Sequence, residues 1–158
     1  CDDYLELVKE RAYGAQGEAA AASARAALAL ALDVQLRLFA PFMPFVTEEV
    51  WSWWRAGSVH HAAWPLPSEL PLGGDPALLE DVSAVLIGLR GAKSAAKVSM
   101  KTPLASVAVE GPVDQIDRLR AVEDDLRAVG RIASAPDWVP GGVQLTVQAV
   151  VTSSQENA

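Results

Sequence analysis

A chain of 158 residues with 51% apolar residues is long enough for one well-filled core or two small ones, and too apolar to stay disordered. Its formal net charge of −7, from 20 acidic and 13 basic residues, excludes a surface that grips nucleic acid all over, because phosphate contacts need lysine and arginine. Arg25, Asp33 and Arg37 interrupt the longest apolar run before it reaches the roughly 18 residues of a membrane span.

The chain opens on CDDYLELVKE, acidic and helix-like rather than a secretory leader, and without a starting methionine, so it reads as a piece of a longer protein. Cys1 is the single cysteine, which excludes an internal disulfide and suits a reducing, cytoplasmic setting. Over residues 2–13 Leu5, Val8 and Ala12 share one helical face, and Glu6 is spaced to pair with Lys9. Gly14 to Gly17 then make a turn. Residues 18–40 contain ALALALDVQLRL, whose alternation also fits a strand. Length and the strong helix formers decide for helix, with Leu28, Leu32, Leu36 and Phe39 on one face and Asp33 and Arg37 placed for an i, i+4 pair.

Residues 38–51 read LFAPFMPFVTEEVW. Pro41 and Pro44 lack a backbone donor and crowd the preceding turn, so the arriving helix must end or bend sharply. Thr47 is then placed to cap a new helix over 47–55, with Glu48 and Glu49 in its favoured first turn and Trp51 facing the core. Trp54 also reads as packing, and Trp53 falls on a different side. Gly57 ends this helix. Residues 57–75, rich in proline and glycine, form an irregular connector. Asp75-Pro76 signals the next helix, expected to run to about Val98 through Leu79, Val82, Val85, Leu86 and Leu89. Beyond Thr102 the pattern changes: a short strand over 104–109, one or two helices in PVDQIDRLRAVEDDLRAVG, a turn-rich approach at 136–142, a strand in VQLTVQAVV, and a loose tail at the end.

Candidate chemistry is sparse. His60 and His61 are adjacent on an extended segment, point to opposite sides, and have no cysteine or carboxylate at ligand spacing, so they read as surface loop residues and no metal site is expected. No GxSxG, Walker A loop, HExxH or paired-carboxylate arrangement occurs. Between Val82 and Val109 the charged residues are Arg90, Lys93, Lys97 and Lys101, all basic. Spacings of three, four and four put them on one slanting stripe if the helix is continuous, a plausible phosphate track; a solvated helix face is the plainer alternative. Lys9 and Arg11 are further basic candidates.

The proline junction closely resembles the helix junction in the anticodon-binding domain of class I aminoacyl-tRNA synthetases of the valine, isoleucine and leucine group. Ser58, Val59, His60 and the later Trp64-Pro65 resemble the stretch that follows in valyl and isoleucyl members, where the tryptophan-proline pair packs the connector down. The opening CDDYLELVKERAYG and residues 85–102, VLIGLRGAKSAAKVSMKT, resemble the helices that enter and leave the bundle in bacterial valyl members. The resemblance is strong over 1–102 and looser beyond, and no sustained heptad for a terminal coiled-coil arm follows Gly130.

The resemblance implies a mainly α fold, an antiparallel helix bundle over 1–98 followed by a small α+β extension over 99–152. It implies a monomer, soluble rather than membrane-bound, that binds tRNA and belongs to a longer synthetase chain. Arg90, Lys93, Lys97, Lys101, Lys9 and Arg11 would be the tRNA-contacting residues, and Pro41, Pro44, Thr47 and Trp51 the architectural junction. ATP and Mg would belong to the parent's catalytic region, since the HIGH-like and KMSKS-like signatures are absent and no cofactor is expected here. An isoleucyl or leucyl parent, or a helical protein-interaction module that binds no RNA, stays open.

Overall fold

A computed structural model describes residues 2–152; Cys1 and the expected loose tail at 153–158 lie outside the described residues. Among the described residues are helices α1 (Asp2–Ala12), α2 (Glu18–Phe39), α3 (Pro44–Ser52), α4 (Ala77–Ala95), α5 (Val113–Arg120) and α6 (Glu123–Gly130), strands β1 (Leu104–Gly111), β2 (Asp137–Pro140) and β3 (Thr146–Val151), and 3-10 turns at Val59–His61 and Pro67–Glu69. The fold is mainly helical with one small mixed sheet. Two compact units make up the chain: Glu18–Gly74, and Cys1–Gly17 together with Asp75–Ala158. This grouping differs from a division near residue 98, because α1 packs on α6 and α4 packs on β3.

In the unit Glu18–Gly74, Leu36, Ala40, Trp51 and Val59 form a buried cluster, with Val50 and Ala62 packed against it. By length and apolar content α2 could pass for a membrane span, with a mean hydropathy of 1.3 over its best 18-residue window. Its Asp33 and Arg37, however, are buried in an ion-pair network. The expected stripe is only partly inside: Leu36 is buried, while Leu32 and Phe39 are exposed.

The proline junction departs from expectation in its start. The helix after the bend begins at Pro44, three residues before Thr47, with proline in the first turn, where a missing amide proton costs nothing. Thr47 therefore does not cap. Its buried hydroxyl donates backwards to the carbonyls of Met43 at 2.8 Å and Pro44 at 3.3 Å. Glu48 and Glu49 lie in mid-helix rather than in the first turn. The Glu48 carboxylate instead accepts from the Ser58 hydroxyl and the Val59 amide, both at 2.9 Å, and so anchors the start of the connector. Trp51 is buried, as expected, but Trp64 is 57% exposed and does not pack the connector down.

In the second unit the sheet order is β2-β1-β3, with β1 parallel to β2 and antiparallel to β3. Leu104, Val107 and Val109 of β1 are buried with Ile116, Leu119 and Leu126 of α5 and α6 and Val82, Val85, Leu86 and Leu89 of α4. Helix α4 lies on β3 at Gly88, where an added Cβ would stand 2.7 Å from that of Val147. Pro76 stands just before α4 rather than as its first residue, and the Asp75 carboxylate accepts from the Ala77 amide at 3.0 Å. The inward face of α1 is Leu7 and Val8; Leu5 is half exposed, because Arg11, on the side of Leu7 and Val8, reaches across to Asp125 of α6. The turn-rich approach at 136–142 contains β2, a strand not expected there, which gains its order from pairing beside β1 rather than from its own sequence.

Candidate nucleic-acid interface

The expected basic stripe needs α4 to continue to Val98, and it does not. The helix ends at Ala95, and Lys97 sits at a left-handed φ of 54°. The Lys97 amide donates to Ser94 and the Val98 amide to Lys93, closing the helix end with a lysine where glycine is usual. With no glycine to mark the stop, the sequence pattern overruns it. Arg90, Lys93, Lys97 and Lys101 thus lie on a helix, a helix end and a following turn, not on one continuous helical stripe.

Their environments also differ. Arg90 is about half exposed and pairs with Asp3 of α1 at 3.0 Å. Hydrogen bonds from Ser83 and Arg90 hold the Asp3 carboxyl below its ordinary pKa. Lys93 is only 3% exposed, and its ammonium donates to the carbonyls of Met100 at 3.0 Å and Gly130 at 2.9 Å. Burial, and then the charge of Arg131, push the Lys93 pKa below the usual lysine value. Lys101 is exposed and has no carboxylate partner among the described residues. Lys9 makes a long contact to Glu6 at 3.9 Å, and Arg11 is tied to Asp125 at 3.2 Å. Asp125 is buried and also accepts from Gln16 at 2.8 Å, so Arg11 does structural work at that spot.

One basic residue that the sequence pattern passes over is Arg131. It follows α6 at a left-handed φ of 53°, again where glycine is usual, and no carboxylate pairs with it among the described residues. The Ile132 amide returns to the Arg127 carbonyl at 3.0 Å, which fixes the turn. A lone arginine after a glycine carries no periodic signal, so only the fold brings it beside Lys93 and Lys101.

The unit Glu18–Gly74 carries a second cluster. Arg37 is 9% exposed and donates to Asp33 at 2.7 Å, to both oxygens of Glu69 at 2.6 and 3.2 Å and to the Ala63 carbonyl at 3.3 Å. The i, i+4 pair expected from spacing is present, and Glu69 completes it from the connector. The bond from Arg37 lowers the Glu69 pKa and raises that of Arg37. Arg55 binds Asp33 at 2.8 Å, and its guanidinium lies 4.8 Å from the ring centre of Trp54 and 5.8 Å from that of Trp51. Arg55 and Trp54 are partly exposed and offer one flat cationic face, suited to stacking on a planar group. Trp53 is 70% exposed and bonds Glu49. His60 lies 3.2 Å from the Pro44 carbonyl, and no group of three or more metal-ligating side chains forms among the described residues.

The family described as the anticodon-binding domain of tRNA ligase matches residues 1–109. A valine–tRNA ligase of Cutibacterium acnes is 56% identical over 151 residues, 94% of this chain and 17% of that protein. Valine–tRNA ligases of Leifsonia xyli and Thermobifida fusca are 52% and 54% identical over 84% and 85% of this chain, each alignment covering 15% of the relative. The chain therefore spans about a sixth of the length of the relatives it matches. On a family match that takes in more than half its residues, the chain belongs to the anticodon-binding domains of tRNA ligases.

Proposed function

We propose that this chain is the anticodon-binding part of a valine–tRNA ligase. It would hold tRNA(Val) so that a catalytic region elsewhere in the longer enzyme, using ATP and Mg, charges the far end of the molecule. The observation that carries the reading is the 56% identity to a valine–tRNA ligase over 94% of the chain. Phosphate contacts would come from exposed cations, Arg90, Lys97, Lys101 and Lys9, with buried Lys93 and half-buried Arg11 as supports, and the Arg55–Trp54 face would offer a stacking surface. The partner would be tRNA within a single cytoplasmic polypeptide. The chain alone would not activate valine.

The test is a titration of the 158-residue chain with fluorescent tRNA(Val) transcript and with the same transcript carrying a changed anticodon. The reading expects binding at low salt that weakens with added salt, and weaker binding of the changed transcript. Absence of binding at the lowest salt, or equal binding of both transcripts, would count against it.

A further inference from the structure

Beneath Lys101 and Arg131 lies a cavity of about 310 Å³, lined also by Lys9, Arg90, Lys93 and Glu6. Lys9 is offset by Glu6, and Arg90 by Asp3. Three charges remain without a carboxylate among the described residues: Lys93, Lys101 and Arg131. The C-terminal end of α6 opposes them with only about half a charge. The pocket is therefore net positive on a chain whose formal charge is −7.

The construction is more specific than a cluster of surface lysines. The ammonium of Lys93 is bound to the carbonyls of residues 100 and 130, the residues immediately before Lys101 and Arg131. One buried cation thus fixes the two backbones that carry the two unpaired cations. Arg131 holds a left-handed conformation that disfavours any side chain with a Cβ. Strain of this kind persists where the surroundings impose it, and here the strained residue lines the basic cavity and its charge acts on Lys93.

We infer that this pocket is a seat for a single phosphate group of an RNA backbone, contacted by Lys101 and Arg131 and rimmed by Lys9 and Arg90. The inference rests on the tRNA-binding reading and adds to it a defined subsite and a residue, Arg131, outside the basic run of α4. A phosphodiester fits because separated cations stand around the cavity, while its apolar lining, Leu86, Leu89, Met100 and Val129, offers no aromatic wall for a base or a nucleoside.

The test compares the wild-type chain with a double variant, Lys101→Gln with Arg131→Gly, and with Arg120→Gln. Glycine suits the backbone at 131, so the double variant is expected to melt no earlier than wild type. Arg120→Gln removes a half-exposed charge, one paired to Asp117, that does not line the cavity. For tRNA binding against salt concentration, the double variant should lose on the order of tenfold in affinity, with a log–log slope shallower by about one to two, while Arg120→Gln leaves the slope unchanged. In NMR titrations of the wild type, inorganic phosphate at tens of millimolar should shift the Lys101 and Arg131 signals and raise the Lys93 titration. An unchanged slope in the double variant, an equal change in Arg120→Gln, or silent Lys101 and Arg131 signals overturns the subsite alone. Sub-millimolar saturation by free phosphate overturns its assignment to RNA. If wild type binds no tRNA, the function reading itself fails and takes the subsite with it.

Discussion

The hydroxyl of Thr47 is buried and donates to Met43 and Pro44 at the start of α3. Thr47→Val keeps the shape and removes the donor. The Met43 carbonyl still accepts the Thr47 amide at 3.1 Å, so the expected loss is modest, about 1 kcal/mol and a melting point about 2–4 °C lower. An unchanged melting curve would show that this hydroxyl contributes nothing. Glu69 gives a pH prediction. Its folded pKa is depressed by Arg37, so its contribution to stability is complete above the ordinary glutamate value of about 4.3 and is lost as pH falls through the lower folded value. Glu69→Gln should therefore flatten the fall in urea midpoint below that pH, and a fall as steep as in the wild type would contradict the assignment. These residues also mark what sequence can and cannot reveal. Asp33 and Arg37 are four apart and their pairing is local, whereas Glu69 reaches Arg37 from a connector 32 residues away. Lys93 looks like any exposed lysine in a basic run, because its burial depends on carbonyls of residues 100 and 130.

At the level of elements, helices α1, α2 and the start of α4 follow directly from periodicity and from Asp75, and the bend at Pro41 and Pro44 follows from proline chemistry. The errors fall at helix ends and at β2. Lys97 and Arg131 close helices in the left-handed conformation without glycine, so neither stop is written in the usual residue. Strand β2 is four residues long and exists by pairing with β1. The two glycines of α4 separate packing from propensity. At Gly88 an added Cβ meets the Cβ of Val147 at 2.7 Å, an atom fixed to the strand backbone; at Gly91 it meets nothing within 4 Å. Gly88→Ala should cost about 1–3 kcal/mol through overpacking, less the helix-propensity gain of alanine, while Gly91→Ala should stabilise by about 0.5–1 kcal/mol. Urea unfolding of the two variants measures both, and equal effects would place α4 and β3 further apart than described.

For the whole molecule, acidic composition and a local basic pocket are compatible because binding needs only a few correctly placed cations. The family was legible from the proline junction and the segments flanking it, while the subsite was legible only in part: Lys9, Lys93 and Lys101 stand out as basic candidates, but Arg131 comes from a separate stretch that only the fold brings beside them. The central claim, that this chain holds the anticodon arm of a tRNA, is tested most directly by hydroxyl-radical footprinting of end-labelled tRNA(Val) with the 158-residue chain at low salt. Protection confined to the anticodon stem and loop is the predicted result; protection of the acceptor arm instead, or a cleavage pattern identical to that of free tRNA, would contradict it.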